Sequence, residues 1–350
     1  MSNVVDIILN KKTMKPNKAS ISPFLGTRNV LTNSHWDFVE LWLKREGKSE
    51  ALFYWNQARV FNSASIGLPN QSAPLLHYYS FMNAAKALLA SKDIQFNPHH
   101  GVGKARGGEF TNIDLSSTGV NIRNEGVVAS IANYLGDVSD RRQFSLKDMF
   151  YNLPYIHRTY CLTYQTENDM FIPIKNARFV LDLNNGDAYL SAKLSKDFSY
   201  EGVSDYLTDS FQLVDESNSS GYEIKSSEIL KISHPYSFVG SNHELLKQLH
   251  KRVRCKLYYI NGAETLWYIK GKEGADRQIN NSTITITLAA MHRLSEISRY
   301  EPFKLVEFLG GEENWIIAEF IQQSPAQFID EISSEITGHQ FLIPNVRIAN

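Results

Sequence analysis

Apolar positions recur at helical spacing toward both ends of the chain and give way, between them, to short alternating and β-branched runs. Near the start, Ser34 stands three residues before Asp37, a variant of the capping box, and Trp36, Phe38, Val39, Leu41, Trp42 and Leu43 make a broad apolar face ended by Gly47. From residue 49 the helical spacing resumes through Leu52, Phe53, Trp55, Ala58 and Phe61, and a Gly67-Leu68-Pro69-Asn70 turn interrupts it. The next helix, 74–90, is apolar around most of its circumference, with Ala84 and Ala85 allowing close approach, which predicts a central, buried position. Helical spacing returns with Leu288, Met291, Leu294 and Ile297, stops at Pro302 and continues over 314–336, where Pro325 is expected to break or kink the helix.

Between these halves the spacing predicts strands at 160–165, 178–183, 188–194, 211–214, 256–260 and 266–270, with helices at 145–152 and 242–251. Asn184-Asn185-Gly186-Asp187 and Asn261-Gly262 are hairpin signals, because these residues tolerate the positive φ of tight turns. The Gly-rich run 99–108 predicts neither helix nor strand. Lys11, Lys12, Lys15 and Lys18 among polar residues predict a solvated N-terminal arm, more a solubilising tail than a nucleic-acid contact. The expected fold class is α+β: N- and C-terminal helices form one discontinuous bundle, and an antiparallel β-rich domain is inserted between them. The expected segments are an arm (1–33), a first helical half (34–104), the inserted β-rich domain (105–282) and a second helical half (283–350) packed on the first.

With 350 residues the chain has room for one large domain or two ordinary ones. A net charge of −1, from 36 basic and 37 acidic side chains, leaves no overall field toward nucleic acid or an anionic membrane, although a local basic patch is compatible with it. The start Met-Ser-Asn-Val-Val-Asp lacks the basic residues and apolar run of a signal peptide, and no stretch is long and apolar enough to span a bilayer; the expectation is a cytoplasmic protein without membrane contact. The two cysteines, Cys161 and Cys255, are expected to be buried thiols.

The segment His99-His100-Gly101-Val102-Gly103-Lys104-Ala105-Arg106 is the local candidate for a ligand contact. Its glycines permit close backbone approach, and Lys104 and Arg106 can meet a phosphate or carboxylate, although the spacing is not that of a P-loop. Arg299, just before Pro302, has two readings: it caps its helix or pairs with a buried carboxylate, or it contacts a ligand inside the bundle. The ligand-binding candidates are therefore His99, His100, Lys104, Arg106 and Arg299. No Gly-x-Ser-x-Gly elbow or catalytic cysteine setting occurs, so catalytic residues stay unassigned, and neither a cofactor nor a metal site is expected.

The run Tyr78-Tyr79-Ser80-Phe81-Met82-Asn83-Ala84-Ala85-Lys86-Ala87-Leu88, then His100-Gly101, Ser145-Leu146-Lys147-Asp148 through Leu153-Pro154, and Arg299-Tyr300-Glu301-Pro302 together resemble the YaaC-like proteins of bacteria. The first helical pair also resembles the HEPN superfamily of four-helix bundles, many of them dimeric ribonucleases of toxin and antiphage systems. Their signature, Arg followed after four to six residues by His, is matched only by Arg28 and His35, upstream of the bundle, and catalysis is not carried onto that pair. The resemblances imply an interaction or ligand-sensing module that works with a protein partner or as a homodimer in bacterial antiphage defence or stress response. The alternative they imply is a divergent HEPN-type ribonuclease or nucleotide-processing enzyme, with nucleic acid or a nucleotide as its ligand.

Overall fold

The structure, a computed structural model, describes residues 3–105, 114–137, 141–165, 169–215, 222–232 and 241–344. It is α+β and divides into two compact units, one of Met1–Leu31, Asn168–Ala275 and Gly338–Asn350, the other of Thr32–Glu167 and Asp276–Thr337. In chain order the described helices are α1 (His35–Arg45), α2 (Ser49–Ser65), α3 (Ala73–Ser91), α4 (Val127–Leu135), α5 (Leu146–Tyr151), α6 (Pro154–Thr163), α7 (Ser241–Arg254), α8 (Thr283–Tyr300), α9 (Pro302–Gly310) and α10 (Asn314–Thr337). The units are bounded differently from the expected segments: the N-terminal arm up to Leu31 belongs with the sheet, and 114–165 belongs with the helices.

In the helical unit α1 starts as its sequence indicates, with the Ser34 hydroxyl accepting from the Asp37 N–H. Trp55 of α2 is wholly buried, its ring tilted against that of Trp36 with centroids 4.6 Å apart, and its indole N–H donates to the Trp36 carbonyl. The central helix is α3, buried along most of its length and packed against α2, α8 and α10. Phe81 of α3 lies on Phe328 of α10 with ring centroids 4.3 Å apart. Burying one such phenyl ring contributes about 1.5–3 kcal/mol, so α3 joins helices from both ends of the chain. α10 continues through Pro325 instead of breaking, with Phe320 and Ile321 buried before the proline and Phe328 and Ile329 after it.

Three expectations differ from what the structure shows. Residues 160–163 are the end of α6 rather than a strand: Pro154 opens the helix where its missing N–H costs nothing, and Ile156, His157 and Tyr160 share a buried face. Part of the Gly-rich run is a strand after all, Val102–Lys104, which pairs antiparallel with Gly119–Ile122, itself paired with Gln143–Ser145. Cys161 is half-buried, and in the other unit Cys255 is exposed, its thiol bonded to the Arg252 carbonyl.

The sheet unit is built on the antiparallel strand order Phe211–Asp215, Glu223–Ser226, Asp187–Leu194, Phe171–Asp182, Leu266–Lys270, Tyr258–Ile260. Gly186, at φ 74°, makes the tight turn of the Phe171–Asp182 and Asp187–Leu194 hairpin. Leu246, Leu249 and Val253 of α7 join Ile172, Phe179, Leu190 and Ile269 in one core. The N-terminal arm is not solvated. Val4–Asp6 pairs with Phe171–Asp182, Ile7 and Met14 enter the core, and Lys18 is 1% exposed. A buried ammonium needs acceptors, and Lys18 Nζ donates to Asn261 Oδ1 at 2.8 Å and to the Phe341 carbonyl at 2.6 Å. Arg254, at the end of α7, donates to the carbonyls of Asn17, Lys18 and Leu257, and clasps the arm in place.

Candidate functional site

The glycines of the 99–104 segment serve one close crossing of main chain. Gly101 has φ 79°, and a Cβ there would lie 2.5 Å from the Glu125 carbonyl oxygen; Gly126, at φ 107°, packs against Gly101 in return. Gly126 is also the N-cap of α4 and offers no side chain to its orphan N–H groups. The segment supplies the acceptors instead: Val127 N–H donates to the His99 carbonyl at 2.8 Å and Val128 N–H to the His100 carbonyl at 3.2 Å. The backbone at residues 99–101 is thus fixed to the start of a helix, and the His100 ring is fixed with it.

That ring lies on His292 of α8, with centroids 4.3 Å apart, and Tyr78 of α3 meets His292 edge-on at 4.9 Å. His100 Nδ1 accepts the Val102 N–H, so in the neutral ring the proton sits on Nε2. Burial lowers the His100 pKa; His292 is driven down to about 3 by burial first and then by the charges of His100, Arg293 and Arg123. Tyr78 is raised to about 12, chiefly by burial. Next to His292, Arg293 is 2% exposed and bonds Glu296 and Glu301, each at 3.1 Å. His292 Nδ1 stands 3.9 Å from Glu296 Oε2, beyond hydrogen-bond reach, and finds no partner among the described residues.

Cations stand around this pair. The Arg123 side chain runs over Gly103, where a Cβ would come within 3.2 Å of its Nη2, and the Arg123 N–H donates to the Gly101 carbonyl. Lys304 of α9 is half-buried, its pKa lowered by burial and held up in part by Glu301; the Lys104 charge reaches it as well.

Of the predicted residues, His100 lies at the centre and Lys104 is an exposed cation at the edge. His99 is exposed and contributes through its main-chain carbonyl. Arg299 neither caps its helix by a described bond nor pairs with a buried carboxylate: it is exposed, lies over the Tyr300 ring at 4.8 Å and acts on Tyr78 only through its charge. The buried, carboxylate-bound arginine is Arg293, one helical turn and a half earlier. Arg106 lies outside the described residues. Sequence reasoning missed His292, Arg293, Glu296 and Arg123. A signal for two of them was present, since His292 and Arg293 interrupt a helix otherwise apolar enough to be buried, and a buried polar residue is the informative exception.

A family model described as YaaC-like protein matches residues 23–336. No curated protein and no solved structure matches the chain.

Proposed function

The chain belongs to the YaaC-like family, and we propose that it is a ligand-sensing module whose helical unit holds an anionic ligand at the His100–His292 pair. The observation that carries this reading is the pairing of the His100 and His292 rings, centroids 4.3 Å apart, with the Arg123 guanidinium running over the adjoining Gly103, and the protonation of the pair accords with it. An acid–base enzyme needs groups whose pKa values lie near working pH, so that each can both take up and release its proton. Here His292 is held near 3 and His100 below its ordinary value, so both rings are neutral, while Tyr78 keeps its proton. Neutral imidazoles and a phenol beside Arg123, Lys104 and Lys304 offer hydrogen bonds and positive charge, which suits recognition of a phosphate or carboxylate.

The module works beside a partner, either another protein or a second copy, in the HEPN-like manner and in the defence or stress setting that the superfamily resemblance implies. Support for a partner comes from α9 and its approach, where Phe303 is 85% exposed, Tyr300 66% and Val306 54%. Apolar groups left together in water on one short stretch mark an interaction surface.

Calorimetric titration with a panel of mono- and dinucleotides and short RNA tests the reading. A charge-assisted contact contributes about 1.5–3 kcal/mol, so Lys104→Ala and Arg123→Ala should each weaken the bound member about 10- to 100-fold. Failure of every member to bind overturns the proposal. Hydrolysis of RNA by the wild type that is lost in His292→Gln would establish the divergent ribonuclease in its place.

A further inference from the structure

The sheet unit contains a cleft of about 1110 Å3, at the upper end of or beyond the ~300–1,000 Å3 of pockets that enclose one small ligand. Lys12, Lys15, Arg28 and Lys175 line it, against a single carboxylate, Glu264. An excess of three positive charges thus gathers in one cleft of a chain whose net charge is −1. None of the four cations has an ion pair or side-chain hydrogen bond among the described residues, although ion pairs are common elsewhere in the unit, as at Arg178 with Asp6. Unpaired charges of one sign around one cleft set up a positive potential there, which favours a bound polyanion.

Separate pieces of backbone aim these cations. The strands Ile8–Leu9 and Lys12–Thr13 form a hairpin whose turn residues, Asn10 and Lys11, both take positive φ, and this hairpin carries Lys12 and leads to Lys15, both of which line the cleft. Gly26, at φ 71°, packs so tightly on Leu9 that a Cβ would lie 2.8 Å from the Leu9 Cβ, and it fixes the segment carrying Phe24 and Arg28 to that hairpin. Lys175 stands at a register shift between Phe171–Asp182 and Asp187–Leu194, next to Asn176 at φ 53°, and is exposed there. A bulge of this kind re-aims a side chain away from the sheet.

The cleft also offers a flat apolar group and a free hydroxyl. Phe24 is 48% exposed, with His339 alongside it at 5.0 Å. Thr265 Oγ1 is buried on the cleft wall without a hydrogen-bond partner among the described residues. Cations that track a backbone, with an aromatic ring on which a base can stack, are the components of a single-strand groove. We infer that this cleft binds single-stranded nucleic acid, over a few nucleotides, by phosphate contacts with Lys12, Lys15, Arg28 and Lys175. The site lies wholly in the sheet unit, and the inference stands without the ligand reading of the His100–His292 pair.

Fluorescence anisotropy of the full chain with labelled twelve-nucleotide rU and dT strands tests it across 50–200 mM salt. Four phosphate contacts on a single strand predict a slope of log K on log salt of about −2.8, and each of Lys15→Gln, Arg28→Gln and Lys175→Gln should make it shallower by about 0.7. Lys251→Gln, an exposed cation on α7 outside the cleft, should leave both slope and affinity unchanged. Preference for rU over dT assigns the strand as RNA, and the reverse as DNA; either supports the inference. Three results overturn it: no binding at 50 mM salt, a duplex of the same length bound as tightly as the strand, or poly-glutamate competing as well as the unlabelled strand.

Discussion

His250 makes the stability of the sheet unit depend on pH in a way that can be worked out in advance. It is wholly buried on α7, and its Nε2 accepts the Asn17 main-chain N–H at 2.9 Å. A ring nitrogen that accepts carries no proton, and burial, with the Arg254 charge second, lowers the pKa from 6.5 to about 3. In the unfolded chain the ring titrates near 6.5. Between those values the unfolded state binds more protons than the folded one, so the free energy of unfolding rises with pH, and stability is lost as pH falls below 6.5 toward 3. At about 1.4 kcal/mol per pH unit, moving from pH 7 to pH 5 costs about 2 kcal/mol through this one group. Glutamine can accept the same N–H through its amide oxygen but does not titrate. Urea unfolding of the wild type and His250→Gln at both pH values, followed by circular dichroism, should show a pH 7 to pH 5 loss about 2 kcal/mol smaller in the variant. His77 and His292, lowered to about 4 and about 3, titrate alike in both proteins and cancel in the comparison. Equal losses in the two would refute the argument.

Arg254→Lys keeps the charge but not the planar fork that reaches the carbonyls of Asn17, Lys18 and Leu257, and should destabilise by about 1.5–3 kcal/mol in the same urea assay. Gly101→Ala and Gly136→Ala form a matched pair, at φ 79° and 77°. Only the first brings a Cβ against backbone, so it should lower the melting temperature well beyond the roughly 1–2 kcal/mol of left-handed strain that both share, and equal shifts would show that the Gly101 crossing yields.

Legibility in the sequence followed the range of the forces involved. The Ser34 cap, the Gly186 turn and the central place of α3 rest on neighbours along the chain, and each is visible in spacing or residue type. The strand at 102–104 and the helix at 154–163 owe their form to partners elsewhere, Gly119–Ile122 in the first case and the buried face against α10 in the second. The lysine-rich arm misled because composition shows charge but not acceptors: nothing near Lys18 announces Asn261 or the Phe341 carbonyl. At the candidate site, His100 was legible from its glycines. His292, Arg293 and Arg123 were not singled out, because their significance lies in what the fold sets beside them.

The bond from Lys18 to the Phe341 carbonyl spans 323 residues, and the parallel pairing of Phe341–Leu342 with Val30–Leu31 closes at the same late stage. At ~5–20 residues per second on the ribosome, about 16–65 s pass before the second of the two acceptors described for Lys18, the Phe341 carbonyl, exists. Through that interval Val30–Leu31 lacks its partner and keeps an open strand edge. Completion of the sheet unit therefore waits until Phe341–Leu342 has been made, and the nascent chain passes through a period in which the Val30–Leu31 edge is free to pair with the wrong partner.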